Sequence, residues 1–309
     1  MKFWCYKHQH KANVYINALL RAGFEESETN PDFVLIDHDV GKHGQGFRPQ
    51  IVKHAREGAK IFMYPHAARP MIQWDGMYPL FTENVAGSFV IAPGHVEVMK
   101  RYGYPLPTWV VGWSYCRQRT FRPVAKVKNI LFCPIHPHAN GWLSEMDREC
   151  NVRTLKALLQ LKGVHIIVRY LRDLSKNGLW VEKGVRYIQG KPDGSTREID
   201  FADLTVAHQT PAYLAIARGK PTIMCGDRLI PHSGNTPDCF RTVASWEKYQ
   251  DYLEYPWDVE DGDLEGMIEK ARRDDIPIRS WKKRFIGEPF NPDKFVRIIK
   301  EQMYVIENK

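Results

Sequence analysis

A chain of 309 residues with 43% hydrophobic and 26% charged side chains is neither disordered nor fibrous, and at this length it is expected to divide into two domains. No apolar run approaches the roughly 20 residues of a membrane helix, and MKFWCYKHQHK turns from apolar to charged too soon for a signal peptide. Lys+Arg 44 against Asp+Glu 36 gives a net charge of +8, which suits an anionic partner: nucleic acid, a nucleotide or an anionic membrane surface.

Lys2–Tyr6, Phe33–Asp37, Lys60–Tyr64, Ser88–Ala92 and Thr108–Val111 read as short buried strands. Between the first two, Ala12–Ala22 is predicted helical, with Ala12, Ile16, Leu19 and Leu20 on one face and Gly23 as its C-terminal cap. His95–Tyr102 gives another short helix, ended by Gly103 and Pro105. Strands alternating with helices imply parallel pairing through right-handed crossovers, so residues 1–116 are expected to form a Rossmann-like domain. The pattern breaks at Cys116–Lys128, which holds five basic residues, no acidic ones and Pro123. Residues 117–128 are read as a basic linker.

The alternation then restarts. Lys128–Cys133 is a predicted strand, and Asn151–Leu161 a helix with Val152, Leu155, Leu158 and Leu159 facing inward. Val164–Tyr170, Val185–Ile188, Leu204–Ala207 and Pro221–Cys225 follow as strands of a second parallel sheet, with Phe240–Val243 expected at its edge. Asp258–Glu265 reads as an acidic surface turn. Pro292–Ile306 reads as a terminal helix with Phe295, Ile298, Ile299 and Met303 on one side. The expected organisation is a second Rossmann-like domain over 129–290, and a helix over 291–309 that packs back on the first domain. Six cysteines without CxxC pairs, three of them in apolar strands, favour reduced buried thiols and a cytoplasmic location. Two such α/β domains would face each other across a cleft at the C-terminal strand ends, where open parallel sheets bind ligands.

Asp203–Asp227, DLTVAHQTPAYLAIARGKPTIMCGD, reads as strand, turn, helix, strand. Thr210 suits an N-cap and Pro211 the first helical position, which would aim the positive end of the helix at a bound diphosphate. This stretch resembles the nucleotide-binding half of GT-B glycosyltransferases, which carry the pattern xxEAxAxGKPxI; the matching residues are Ala215, Ala217, Gly219, Lys220, Pro221 and Ile223. Lys128–Pro134 resembles the first strand of that family's C-terminal domain. Ala92–Gly112 resembles the end of its N-terminal domain, and Tyr64–Arg69 is similar to the HG turn of glycerophosphotransferases. One position departs: Leu214 stands where many members have an acidic residue that holds the donor's ribose. Either Tyr213 or Asp227 takes over that contact, or donor recognition differs.

The resemblance implies a two-domain GT-B enzyme that moves a sugar from a nucleotide sugar, UDP-sugar first, to a hydroxyl acceptor. No tightly bound cofactor is expected and no metal requirement. Stabilising the departing diphosphate needs a helix N-terminus and cations; the donor-side candidates are His208, Gln209, Thr210, Tyr213, Arg169 and Asp227. Deprotonating the acceptor needs a base at the strand ends of the first domain; the candidates, in order, are His66, Asp39 and His10. Twelve histidines include His8-x-His10 and His136-x-His138, but neither HExxH nor paired CxxC occurs. GxxxxGK[ST] is absent too, as is GxGxxG after the first strand, which argues against P-loop and dehydrogenase chemistry.

Arg117, Arg119, Arg122, Lys282, Lys283 and Arg284, with Trp281 and Phe285 interleaved, suit a polynucleotide: cations for phosphates and rings for bases. The compact size resembles the phage enzymes that glycosylate hydroxymethylpyrimidines such as 5-hydroxymethylcytosine in DNA. Double-stranded DNA is therefore the expected acceptor, in the host cytoplasm if the chain is phage-encoded. No membrane partner is expected, and the chain is expected to be a monomer or weak oligomer. Two alternatives stand beside this reading: glycosyl or glycerophosphate transfer to a surface glycan or teichoic-acid-like polymer, and a non-catalytic protein that binds nucleotide sugar or DNA.

Overall fold

Four consecutive core residues, Phe33 to Ile36, each have no exposed surface, as a strand covered on both faces must. They belong to a sheet built entirely from parallel neighbours. The computed structural model describes residues 1–6, 12–37, 49–65, 84–101, 106–114, 118–135, 145–171, 173–190, 196–208, 210–225, 263–273 and 276–307. The chain divides into two units. Among the described residues, one holds 1–114 and 284–307, and the other 118–225 and 263–283.

The first unit carries β1 (Lys2–Cys5), α1 (Asn13–Arg21), β2 (Glu25–Glu26), β3 (Phe33–Asp37), α2 (Pro49–Arg56), β4 (Lys60–Tyr64), β5 (Val85–Val90), α3 (Pro93–Arg101) and β6 (Thr108–Val110). Its six strands lie in the order β2-β1-β3-β4-β5-β6. The short β2 and the helix α2 have no counterpart in the sequence reading. Helix α2 buries only Ile51, His54 and Ala55, too narrow an apolar stripe to stand out. The C-terminal helix, Pro292–Glu307, is part of this unit's core. Phe295 is wholly buried and meets Phe89 edge-on at 4.7 Å and Tyr15 at 5.3 Å between ring centroids.

The second unit carries β7 (Asn129–Cys133), α4 (Glu145–Leu159), β8 (His165–Leu171), β9 (Arg186–Gly190), α5 (Thr196–Phe201), β10 (Leu204–Ala207), α6 (Thr210–Ala217) and β11 (Thr222–Met224). Helix α7 (Leu264–Ala271) follows, and the chain returns to the first unit within the last turn of α8 (Ile276–Phe285), ahead of the C-terminal α9 (Pro292–Glu307). The sheet order is β11-β10-β7-β8-β9, all parallel. Strands β7, β8 and β9 run outward on one side; β10 then returns to the other side of β7. The strand order therefore reverses between β7 and β10.

Two sequence expectations need correction here. Leu264 and Glu265 are helical, not part of a turn. Asp263 caps α7 by accepting from the Gly266 N–H at 2.9 Å, while Leu264, Met267, Ile268 and Ala271 turn inward. In α4 the inward face is set by Asn151, Thr154, Leu155 and Leu158, with Val152 and Leu159 only half-buried. Apolar residues alone placed that face one position off. The expected edge strand Phe240–Val243 lies outside the described residues.

Residues 118–128 are strapped onto the second unit. Arg119 N–H donates to Ala217 O at 2.8 Å, Arg122 N–H to Gly219 O at 3.0 Å and Val124 N–H to Arg272 O at 2.9 Å. Gly219 has φ of 72° and faces Thr120 so closely that any β-carbon would overlap the Thr120 carbonyl. Only glycine satisfies both conditions.

Candidate nucleotide site of the second unit

In an open parallel sheet the ligand crevice lies at the carboxyl ends of the strands, where the order reverses. In the second unit that place is bounded by Cys133, which ends β7, and His208, which directly follows β10. His208 N–H donates to Cys133 O at 3.3 Å, so the two chain exits meet. The His208 ring is 4% exposed, and its Nδ1 lies 3.0 Å from the Cys225 carbonyl. A carbonyl only accepts, so Nδ1 carries the proton and the ring plane is fixed.

Arg169 comes from β8, on the other side of β7. It is 4% exposed, and its Nε lies 3.9 Å from Glu198 Oε2 in the first turn of α5. Both charges are felt at Cys133. Burial pushes its thiol up to about 12, with the Arg169 guanidinium pulling the other way and Glu198 adding to the rise. Cys133, Arg169, Glu198 and His208 are thus gathered at one end of the sheet. Helix α6 starts there too, with Thr210 as its first residue. Its backbone N–H groups carry the partial positive charge of a helix N-terminus.

The remaining candidates divide by burial. Tyr213 is wholly buried, its ring 5.1 Å from that of Trp281, so it faces the interior of the unit. Leu214 is 3% exposed, which accounts for the apolar residue where the resembling family has an acid: here that side chain belongs to the core. Helix α6 is apolar all round and buried from Ala212 to Ala217, as a helix enclosed on every side must be. The familiar Gly-Lys-Pro is structural. Lys220 Nζ donates to Asp200 O at 2.7 Å and Ala202 O at 2.8 Å, closing the C-terminal end of α5, and burial draws its ammonium below the ordinary lysine range.

Of the cationic residues assigned to an acceptor, Lys282 Nζ donates to Arg119 O at 2.7 Å and Ala217 O at 3.0 Å, holding the strap. Arg284 pairs with Glu97, Nη2 to Oε2 at 2.6 Å. Arg119 lies 3.5 Å from Asp200. Arg122 and Lys283 are exposed. The interleaved rings overturn one expectation: Trp281 is 4% exposed and Phe285 wholly buried, so both serve the core, the helix having turned its aromatic stripe inward and Lys283 outward. His66, Asp39, His10, Gln209, Asp227 and Arg117 lie outside the described residues, as do His8, His136 and His138. Among the described residues no group of three or more His, Cys, Asp or Glu side chains could hold a metal, and no helix is long and apolar enough to cross a membrane.

Glu198 and Gly190 were missed by sequence reasoning. Glu198 lies in the first turn of a six-residue helix with no periodic signal, and Gly190 reads only as a strand end.

No protein-family model matches the chain, and no curated protein sequence matches it. Among solved structures the chain is similar to MnaA of S. aureus in complex with UDP, with TM-score 0.54, 11% identity, and coverage of 98% of this chain and 96% of that one. It is also similar to a protein of Listeria monocytogenes provisionally assigned as a UDP-N-acetylglucosamine 2-epimerase, with TM-score 0.53, 11% identity, and coverage of 97% and 96%. Likeness at this identity speaks to fold. With two parallel-sheet α/β units that hold six and five strands among the described residues, the chain has the GT-B fold.

Proposed function

We propose that this chain is a nucleotide-sugar-dependent enzyme of the GT-B type, a glycosyltransferase that binds the donor's nucleoside diphosphate in the second unit. The observation that carries the reading is the gathering of Arg169, His208 and the N-terminus of α6 around Cys133, where the strand order reverses. A guanidinium and the backbone N–H groups of a helix N-terminus are what a departing diphosphate requires as its charge grows; His208, whose Nδ1 proton is engaged by the Cys225 carbonyl, adds a donor only when Nε2 is protonated as well. Uridine is the first nucleotide to test, because the S. aureus relative in fold is a UDP complex.

The acceptor is a hydroxyl, activated by a base of the first unit, with His66, Asp39 and His10 as the candidates. Duplex DNA carrying hydroxymethylpyrimidines keeps the support of the +8 charge and of the exposed Arg122 and Lys283. It has lost Trp281 and Phe285 to the core, and Lys282 and Arg284 to internal partners. A glycan or polyol-phosphate acceptor asks less of those side chains.

The test is to incubate purified protein with a panel of nucleotide sugars and three acceptors: 5-hydroxymethylcytosine DNA, 5-hydroxymethyluracil DNA and a glycerol-phosphate oligomer. Products are then weighed by mass spectrometry. A hexose- or pentose-sized gain on one acceptor identifies reaction and acceptor together. Release of free sugar or an isomerised donor, with no acceptor gaining mass, would move the reading from transferase to hydrolase or epimerase. Binding to DNA that does not weaken with salt, by about 0.9 log units per phosphate contact, would remove DNA from consideration.

A further inference from the structure

Helix α4 presents a polar residue, Asn151, on its buried face, and the side chain has no exposed surface. Its Oδ1 accepts from the Ile135 N–H at 2.8 Å, and its Nδ2 donates to Ile135 O at 2.8 Å and to Asn177 O at 2.8 Å. These partners fix the amide's orientation, since the backbone N–H demands the oxygen. Asn177, also without exposed surface, ends the 3-10 turn Ser175–Asn177. It sends its own Nδ2 to Leu171 O at 3.1 Å and Asp173 O at 2.6 Å. Ile135 lies two residues beyond the end of β7, and Leu171 is the last residue of β8. Two buried amides therefore tie together the chain segments that leave β7 and β8 at the end of the sheet where Cys133 and Arg169 sit.

An apolar side chain at 151 would fill the same space with no polar desolvation to offset. The amide supplies instead a fixed distance between two chain exits, because its oxygen and its nitrogen are both engaged by backbone groups of those exits. We infer that Asn151 and Asn177 are positioning residues for the nucleotide site, setting the exit of β7, and with it the approach of Cys133 and His208, against the exit of β8, which carries Arg169. This rests on the donor-site reading above.

The experiment uses the full chain and UDP as probe. UDP affinity is measured by calorimetry for the wild type, Asn151→Asp and Asn177→Ala, at a temperature where circular dichroism shows each folded. Asn151→Asp keeps the acceptor for Ile135 N–H and loses both donated bonds. The expected result is UDP binding at least tenfold weaker in both variants. Lower melting temperatures with unchanged UDP affinity would overturn the positioning role and leave the two residues as stabilisers only. If neither variant folds, hydrogen exchange on the wild type decides. Added UDP is expected to slow exchange at Ile135 and over Ser175–Asn177, and bound UDP without any change there overturns the inference. A wild type that binds no nucleoside diphosphate overturns the donor-site reading, and this inference with it; a wild type that binds, with variants binding equally well, overturns this inference alone.

Discussion

Arg169 lies across the α-carbon of Gly190, so closely that any β-carbon at position 190 would overlap the guanidinium. The two belong to neighbouring strands, β8 and β9, paired with Leu171 opposite Gly190. Glycine is needed here for space, because position 190 is not among those with positive φ.

Gly190→Ala is therefore a selective probe of Arg169. The backbone accepts alanine and only the guanidinium must move. If Arg169 serves a diphosphate, UDP binding falls by about 10- to 100-fold, the range of one charge-assisted hydrogen bond of about 1.5–3 kcal/mol, while uridine binding does not change. Calorimetry with the two ligands separates this from general damage, which would weaken both alike.

The thiol of Cys133 is expected to be inert. With its pKa pushed up to about 12 by burial, the thiolate is roughly one part in ten thousand at pH 8. Cys5, Cys150 and Cys225 are buried thiols as well. Iodoacetamide treatment of the folded chain, read by peptide mass spectrometry, should leave all four unmodified. Labelling of Cys133 at the rate of a free thiol would show that this end of the sheet opens to solvent.

Asp200 receives two bonds from Arg218, Nε to Oδ1 at 2.6 Å and Nη2 to Oδ2, and this pairing holds its carboxyl below the usual range. A carboxyl depressed in the folded chain adds stability above its unfolded value, about 3.9. That stability is lost as pH falls through the depressed value. Asp200→Asn should therefore melt below the wild type at pH 6 to 7, with the gap narrowing progressively as pH falls below the unfolded value of about 3.9. A gap constant across that range would mean that shape and not charge holds the pair.

Phe295 contributes to the first unit although nearly two hundred residues separate it from that unit's last strand. Phe295→Ala should destabilise the chain by about 3–5 kcal/mol, the usual loss for a core aromatic. Denaturant melts followed by tryptophan fluorescence would show it. A loss under 1 kcal/mol would mean that α9 is only a loose cover.

Most of the strands were legible because parallel strands buried on both faces read as short apolar runs: Phe33–Asp37 and Leu204–Ala207 match to the residue. What the sequence hid was polar and internal. Asn151 and Thr154 sit on the buried face of α4, where an apolar pattern cannot find them. Lys282 and Trp281 look like a nucleic-acid surface in one dimension, yet they hold a strap and fill a core. Gly-Lys-Pro drew attention as a nucleotide motif; here Gly219 and Lys220 hold the strap and close α5. His208 and Arg169 could be placed at the carboxyl end of the sheet from sequence because a residue just past a parallel strand, or near its carboxyl end, is set there by topology alone.

The most direct test of the account is UDP titration of three proteins by calorimetry: wild type, Arg169→Met and His208→Ala. The account predicts one UDP per chain for the wild type and binding at least tenfold weaker in each variant, measured at a temperature where each is folded, because both side chains are buried and their loss lowers the melting temperature as well. Affinity unchanged in both variants, or no nucleoside diphosphate bound by the wild type, would contradict a diphosphate site where β7 and β10 part.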